Sequence, residues 1–127
     1  MSIVNTNIDT QEPIRAEELI RGFDLYQEQS IKTIAYGDDM KLWYPALGLG
    51  EAGEVQNKVK KIFRDDGGIL TEERKKAIVK EMGGNLWYLA ALAHGMGMSL
   101  GEIALSNISE LRGRVDRGTL QGDGDDR

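Results

Sequence analysis

Residues 71–95 read TEERKKAIVKEMGGNLWYLAALAHG, and the fold follows from how this segment must be packed. Thr71 is a suitable N-cap for a helix, and Glu72 and Glu73 complement the positive end of the helix dipole. Apolar residues recur at helical spacing as far as Gly95, which is a suitable C-terminal breaker. The segment therefore predicts a long helix with an apolar stripe that other elements must cover.

Three further segments have the periodicity of helices, whereas strand signals are weak throughout. They run from about residue 13 to 35, from Pro45 to about residue 64, and from about residue 99 to 114, with a loop at residues 36–44. The sequence Asp65-Asp66-Gly67-Gly68 supplies a stop signal, and Ser99 and Glu102 form a capping-box pattern. Short connections favour antiparallel neighbours, so the sequence predicts an all-α four-helix bundle.

Length and composition favour one domain. The chain has 127 residues, of which 40% are hydrophobic, enough for a single modest core. We expect one helical domain over residues 1–127, with an N-terminal extension at residues 1–12 and a tail rich in glycine and aspartate at residues 116–127. The apolar stripes of four helices in so short a chain predict a homo-oligomer.

The residue types exclude several kinds of chemistry. Because the chain contains no cysteine, it has no disulfide, zinc–thiolate site or thiol nucleophile. Its net charge of -5 argues against binding a nucleic-acid polymer, which depends on clustered Lys and Arg. The sequence shows neither a signal peptide nor an apolar run long enough to span a bilayer, so we expect a cytoplasmic protein with no membrane partner.

Polar residues fall where the core of the bundle is expected. A polar stripe borders the apolar stripe of the second helix. It consists of Glu51, Glu54, Lys58 and Lys61. Glu81 and Asn85 lie within the apolar stripe of the third helix, and Asn107 lies within that of the fourth, with Arg114 nearby. Three helices are thus predicted to direct polar groups inward.

An inward carboxylate requires a partner, because burying it unpaired costs several kcal/mol. A divalent cation held by Glu51, Glu54 and Glu81 would meet that requirement. Oxygen ligands suit Mg²⁺ or Mn²⁺ better than zinc. A solvated face on which Glu51 and Glu54 pair with lysines is the alternative, and Asn107 alone is equally explained as a residue that bridges backbone groups.

Two segments resemble the core of the MazG-like nucleoside triphosphate pyrophosphohydrolases. Residues 44–55 contain a Glu-x-x-Glu motif at Glu51 and Glu54, and residues 80–90 contain the start of the family's second motif, Glu-x-x-Asp, at Glu81. The resemblance extends to Tyr26-Gln27, to Asn107 and to the closing residues 117–127. Taken together, the order, helical placement and flanking sequence of these motifs are fairly specific.

This resemblance implies a fold, a reaction and an assembly. The fold is that of the all-α NTP pyrophosphatases, and the reaction is Mg²⁺-dependent hydrolysis of nucleoside triphosphates to the monophosphate and pyrophosphate. Glu51, Glu54 and Glu81 would be both the metal ligands and the catalytic carboxylates. The family also implies a homodimer or a homotetramer.

Two groups of residues are candidates for binding the substrate. The phosphate candidates share a face or a neighbouring turn with the acidic cluster. They are Lys58, Lys61, Asn107 and Arg114. The base candidates are Tyr26, Gln27, Ser30 and Trp43, or a residue from a second subunit.

One position departs from the family pattern. Gly84 stands where the second motif usually has its aspartate, and Asn85 could supply only a neutral amide oxygen. The sequence thus predicts a site of three carboxylates with weakened Mg²⁺ affinity. It leaves open two other functions, a catalytically impaired nucleotide-binding or regulatory module and an oligomerisation module whose acidic residues only form ion pairs.

Overall fold

The computed structural model describes residues 14–118, and all regular elements in this range are helical. Five α-helices follow one another within it. They are α1 (Ala16–Ile31), α2 (Trp43–Gly48), α3 (Ala52–Asp65), α4 (Glu72–Gly95) and α5 (Leu100–Arg117), with 3₁₀ turns at Asp38–Met40 and Leu49–Glu51. The predicted all-α class is confirmed. The predicted N-terminal extension and most of the predicted tail lie outside the described residues.

The starts of α4 and α5 are those that the capping residues predict. The Thr71 hydroxyl accepts a hydrogen bond from the Arg74 backbone N–H at 3.2 Å, and the Ser99 hydroxyl accepts one from the Glu102 N–H at 3.2 Å. At its other end, α5 continues three residues beyond the predicted end. It ends at Arg117, and the C-cap residue Gly118 has a φ of 71° and supplies the left-handed C-terminal conformation.

The first helix ends earlier than predicted. Instead of reaching residue 35, α1 ends at Ile31, because the following residues fold back onto its last carbonyl groups. Both the backbone N–H and the hydroxyl of Thr33 donate to the Ser30 carbonyl oxygen, at 3.0 and 2.7 Å. The chain then leaves the helix axis and forms the loop that leads to α2.

The predicted second helix is divided into α2 and α3. Gly48, the last residue of α2, lies directly beneath the ring of Tyr88, and a Cβ at this position would overlap that ring. The 3₁₀ turn at Leu49–Glu51 then connects the two helices. A short helix held against α4 therefore precedes α3, where the periodicity predicted one continuous helix.

The long helix α4 is the centre of the packing. Helices α1, α2 and α3 all pack against it, and α5 packs mainly against α1. The close approach of α5 to α1 depends on Gly101, where a Cβ would lie 2.7 Å from the Cα of Ile20. Asp24 stabilises the same contact between α1 and α5. Its Oδ1 accepts hydrogen bonds from the Ser99 hydroxyl at 2.6 Å and from the Gly101 N–H at 2.8 Å.

The buried core of the described chain is small. Its buried apolar residues include several small side chains from one face of α4. The small side chains of α4 are Ala90, Ala91 and Ala93, and the other buried apolar residues are Pro45, Ile62 and Leu100. Many large apolar side chains stay exposed, among them Leu47 at 73% and Phe63 at 72%. None of the helices in residues 14–118 combines the length and apolar character needed to cross a membrane.

Candidate functional site

Glu51 and Glu54 lie at the start of α3. Glu51 closes the 3₁₀ turn and is the N-cap residue of the helix, and Glu54 is the acidic residue of its first turn. Both side chains are exposed, so they are solvated rather than directed into the core as predicted. The reason is that α3 packs against α4 on one side, which leaves its neighbouring face open to solvent.

Glu81 projects from α4 toward the neighbouring face of α3. Its Oε1 lies 3.7 Å from the Nζ of Lys58 on α3, and the two side chains are only 27% and 25% exposed. Lys58 follows Glu54 by one helical turn, so the two project from the same face of α3. We call the row formed by Glu51, Glu54, Lys58 and Glu81 the α3–α4 seam.

The register of the two helices follows from contacts at either end of the seam. At one end Lys58 meets Glu81, and at the other Gly48 meets Tyr88. The segment from residue 48 to 58 therefore runs antiparallel to α4. This register places Glu54 opposite residues near Asn85.

Tyr88 marks the end of the seam that lies near Glu51. Burial raises the pKa of the Tyr88 phenol, and the negative charge of Glu51 adds to this effect. The carboxylate of Glu51 thus lies close enough to the phenol to disfavour its ionisation.

The described residues contain no preassembled metal cluster. Within residues 14–118, no three His, Cys, Asp or Glu side chains are grouped so that they could hold an ion. Glu81 faces the Lys58 ammonium, and Asn85 lines an apolar groove of about 450 Å³ between α3 and α4. The ligand set Glu51, Glu54, Glu81 and Asn85 therefore stays a prediction.

The structure separates Asn107 and Arg114 from the other phosphate candidates. Both lie on α5, which packs mainly against α1, whereas Lys58 and Lys61 lie on α3. The predicted inward position of Asn107 is wrong, because its side chain is exposed. Arg114 donates a hydrogen bond to Glu110, one turn earlier on the same helix.

Lys61 lies toward the other end of α3. It follows Lys58 by three residues and is half-buried. A hydrogen bond from Arg64 lowers the pKa of the Asp65 carboxyl, and the charges of Arg64, Arg74 and Lys61 act in the same direction. Lys61 therefore contributes positive charge near the C-terminal end of α3.

Two of the predicted base-binding residues are buried. Gln27 is 8% exposed, and its Nε2 donates to the carbonyl oxygens of Ala90 and Met98, both at 3.1 Å. Its Oε1 accepts a hydrogen bond from the Leu100 N–H at 3.1 Å. Ser30 is buried, and its hydroxyl donates to the Tyr26 carbonyl at 2.8 Å. These amide and hydroxyl groups are engaged with backbone.

The other two base candidates are on the surface. Tyr26 lines a shallow apolar groove together with Leu19, Phe23 and Leu86. Trp43 is exposed at the first residue of α2. The structure therefore does not gather the four predicted base-binding residues into one pocket.

An aromatic cluster near the α3–α4 seam was not predicted. Tyr36 stacks on Tyr44 with ring centroids 4.6 Å apart, and Trp87 meets Tyr36 edge-on at 6.3 Å. Tyr88 meets Trp87 edge-on at 5.5 Å and is tilted toward Tyr44 at 6.5 Å. The aromatic pairs at positions 43–44 and 87–88 were visible in the sequence, but nothing local shows that the loop brings Tyr36 to them.

A cavity of about 460 Å³ opens beside this cluster. It is lined by Thr33, Ala35, Tyr36, Tyr44 and Trp87, and we call it the aromatic pocket. The indole N–H of Trp87 donates to the Thr33 hydroxyl at 2.7 Å, which ties α4 to the turn after α1. The Tyr36 hydroxyl is buried and has no hydrogen-bond partner among the described residues.

Comparisons with known proteins give one clear similarity. The Gene 37 protein of Mycobacterium phage L5 is 40% identical to this chain over 111 residues, which cover 82% of this chain and 97% of that protein. No model of a known protein family matches the sequence. No solved structure matches it either.

Proposed function

This chain belongs to the family of the Gene 37 protein of Mycobacterium phage L5, and we propose that it hydrolyses nucleoside triphosphates to the monophosphate and pyrophosphate with the help of Mg²⁺. The proposal includes an all-α NTP pyrophosphatase type of fold. It is supported by the MazG-like motifs of the sequence and by the position of the acidic residues on two adjacent helices.

The observation that carries the proposal is the contact between Lys58 and Glu81. It joins the helix of the first motif to the helix of the second, and it does so one turn away from Glu54. Carboxylates that are distant in the sequence therefore share one seam. Glu51 and Glu54 project beside this pair and form no ion pair with another of residues 14–118, which leaves their carboxylates open to a cation.

The donor chemistry of the seam fits a hard divalent cation. Glu51, Glu54 and Glu81 offer only carboxylate oxygens, which are the ligands that Mg²⁺ prefers. They are the residues that would hold the ion, with Asn85 as a neutral neighbour. When bound, the ion would supply positive charge that neutralises the phosphates of the substrate.

The remaining chemistry falls to the side chains of the seam. Lys58 and Lys61 would bind phosphate oxygens through their ammonium groups. A carboxylate oxygen of Glu51 or Glu54 would accept a proton from the attacking water. As the new bond to the α-phosphorus forms, its bond to the bridging oxygen breaks, and the electron pair leaves with pyrophosphate.

The direct test is a product assay. Purified protein incubated with Mg²⁺ and a panel of NTPs and dNTPs is expected to release the monophosphate and pyrophosphate in equal amounts. Glu54→Gln should reduce the rate at least about 100-fold, in line with the loss of a general base. Glu73→Gln, a change of another exposed glutamate in a first helical turn, is the matched control. If no member of the panel is turned over, the proposal is wrong.

A second candidate function is nucleotide binding without hydrolysis. Gly84 favours this candidate, because it stands where the MazG-like pattern usually has its fourth carboxylate. In that case a nucleoside triphosphate and Mg²⁺ would raise the melting temperature of the protein, as any ligand of the native state does, while no pyrophosphate forms.

A further inference from the structure

The aromatic pocket offers ring faces that a flat ligand can contact. Tyr44 is 47% exposed although it stacks on Tyr36, so much of its ring is open to the cavity and to solvent. Trp87 lines the same cavity and stands nearly perpendicular to Tyr36, at 86°. Nucleobases stack readily on such aromatic side chains.

The polar groups of the pocket are largely engaged within the protein. The hydroxyl of Thr33 donates to the Ser30 carbonyl and accepts from Trp87, whose only side-chain donor is thereby used. The Tyr36 hydroxyl is the group that lacks a partner among residues 14–118. Because this hydroxyl is itself buried, the pocket presents a ligand chiefly with ring faces.

The position of the pocket relates it to the α3–α4 seam. Trp87 lines the pocket, and the next residue in the sequence is Tyr88. The Tyr88 ring packs on Gly48, and the charge of Glu51 adds to the effect of burial in raising the pKa of the Tyr88 phenol. The pocket and the first carboxylate of the seam therefore both lie near the Tyr88 ring.

We propose that the aromatic pocket binds the nucleobase of a nucleotide by stacking, with little discrimination among bases, while the phosphates lie along the α3–α4 seam. The assignment of the phosphates rests on the proposed function. The assignment of the base rests on the pocket itself, because stacking makes use of the π-face that all nucleobases share.

Trp87 provides a readout that does not depend on hydrolysis. The chain has two tryptophans, so Trp43→Phe leaves Trp87 as the only one. This variant is titrated with AMP, CMP, GMP and UMP without added Mg²⁺, and with ribose 5-phosphate as a probe that lacks a base. We expect each monophosphate to quench the fluorescence saturably, with dissociation constants within about tenfold of one another, and ribose 5-phosphate to have no effect.

The pocket is then tested by removing one ring. Tyr44→Leu keeps an apolar side chain but removes the stacking face, and it should weaken binding of each monophosphate roughly 5- to 150-fold. Phe63→Leu, a change of an exposed aromatic residue outside the pocket, is the matched control and should leave the dissociation constants unchanged. Circular dichroism establishes that both variants keep the helical content of the parent.

The outcomes separate the two proposals. Three results would each overturn the pocket assignment, even if triphosphates are hydrolysed. They are an absence of base-dependent quenching, equal effects of Tyr44→Leu and Phe63→Leu, and dissociation constants that differ more than 100-fold among bases. Binding with the expected pattern but no pyrophosphate release would retain the pocket and reject the hydrolase. Because the titration uses the folded protein directly, the pocket is tested even if Tyr44→Leu does not fold.

Discussion

Gly84 has open space around it. A Cβ built at this position meets no atom within 4 Å, and the same holds for Gly83. The two glycines lie in the middle of α4, where glycine is one of the least favourable residues. A side chain at either position is therefore compatible with the helix, and nothing in the local packing requires a glycine.

We expect Gly84→Asp to strengthen Mg²⁺ binding. The new carboxylate follows Glu81 by three residues and lies near its face, so it adds a charged oxygen ligand to the seam. Isothermal titration calorimetry should give a dissociation constant for Mg²⁺ that is about tenfold lower, which corresponds to ~1.4 kcal/mol. Pyrophosphate release at limiting Mg²⁺ should rise accordingly.

Gly83→Asp is the control for this substitution. It adds the same charge in equally open space, but about 200° around the helix from Glu81. Its effect on Mg²⁺ affinity should be small. If both variants change the affinity equally, or neither does, the aspartate position is not part of a metal site.

At the scale of the helical elements, Gln27 connects three parts of the chain. Its amide joins α1 to the C-terminal half of α4 and to the first residue of α5 through three hydrogen bonds. The Leu100 N–H is one of the donors that a helix N-terminus leaves unsatisfied. A polar residue on an apolar helix face thus orders the packing of two other helices.

Gln27→Ala is expected to destabilise the protein by about 3 kcal/mol, because a buried donor and buried acceptors lose their partner. Urea unfolding at fixed protein concentration should show the loss as a lower midpoint. Glu28→Ala changes the adjacent exposed residue of α1 and should stay within about 0.5 kcal/mol of the parent. Similar midpoints for the two variants would contradict the structural role of Gln27.

The helix boundaries show which features local sequence predicts well. The starts of α4 and α5 agree with prediction because each cap is completed within three residues, at Thr71 and Ser99. The division between α2 and α3 was missed because it depends on the contact of Gly48 with Tyr88, which lies on another helix. No residue near Gly48 in the sequence carries that information.

At the scale of the whole molecule, the exposed apolar residues predict self-association. Leu86 is 43% exposed and lines two apolar grooves, one beside Tyr26 on α1 and the other beside Val55 on α3. Exposed apolar grooves of this kind are typical of protein–protein interfaces. We therefore expect a homodimer or a homotetramer in solution.

Light scattering coupled to size-exclusion chromatography measures this directly. The parent protein should elute with at least twice the mass of one chain, and Leu86→Glu should lower the mass to that of a monomer, because a buried unpaired carboxylate opposes association. Leu70→Glu places the same charge on an exposed leucine outside both grooves and should leave the mass unchanged. A parent protein that is monomeric at all concentrations would show the prediction to be wrong.

The acidic site stays a prediction that rests on helical spacing. Because helical spacing relates residues within one helix, it placed Glu51 and Glu54 one turn apart on the same face without knowledge of the fold. It could not show that both are solvent-exposed, since exposure depends on which side of α3 meets α4. For the same reason Asn107 was expected in the core, although α5 packs mainly on α1 and leaves it exposed.

Local sequence thus accounts for the helical class and the caps, because periodicity and capping are satisfied by residues a few positions apart. Packing between distant residues accounts for the rest. The contact of Lys58 with Glu81, the burial of Gln27 and the approach of Tyr36 to Trp87 each join segments far apart in the chain. These contacts depend on the relative positions of whole helices, which the periodicity of any single helix does not specify.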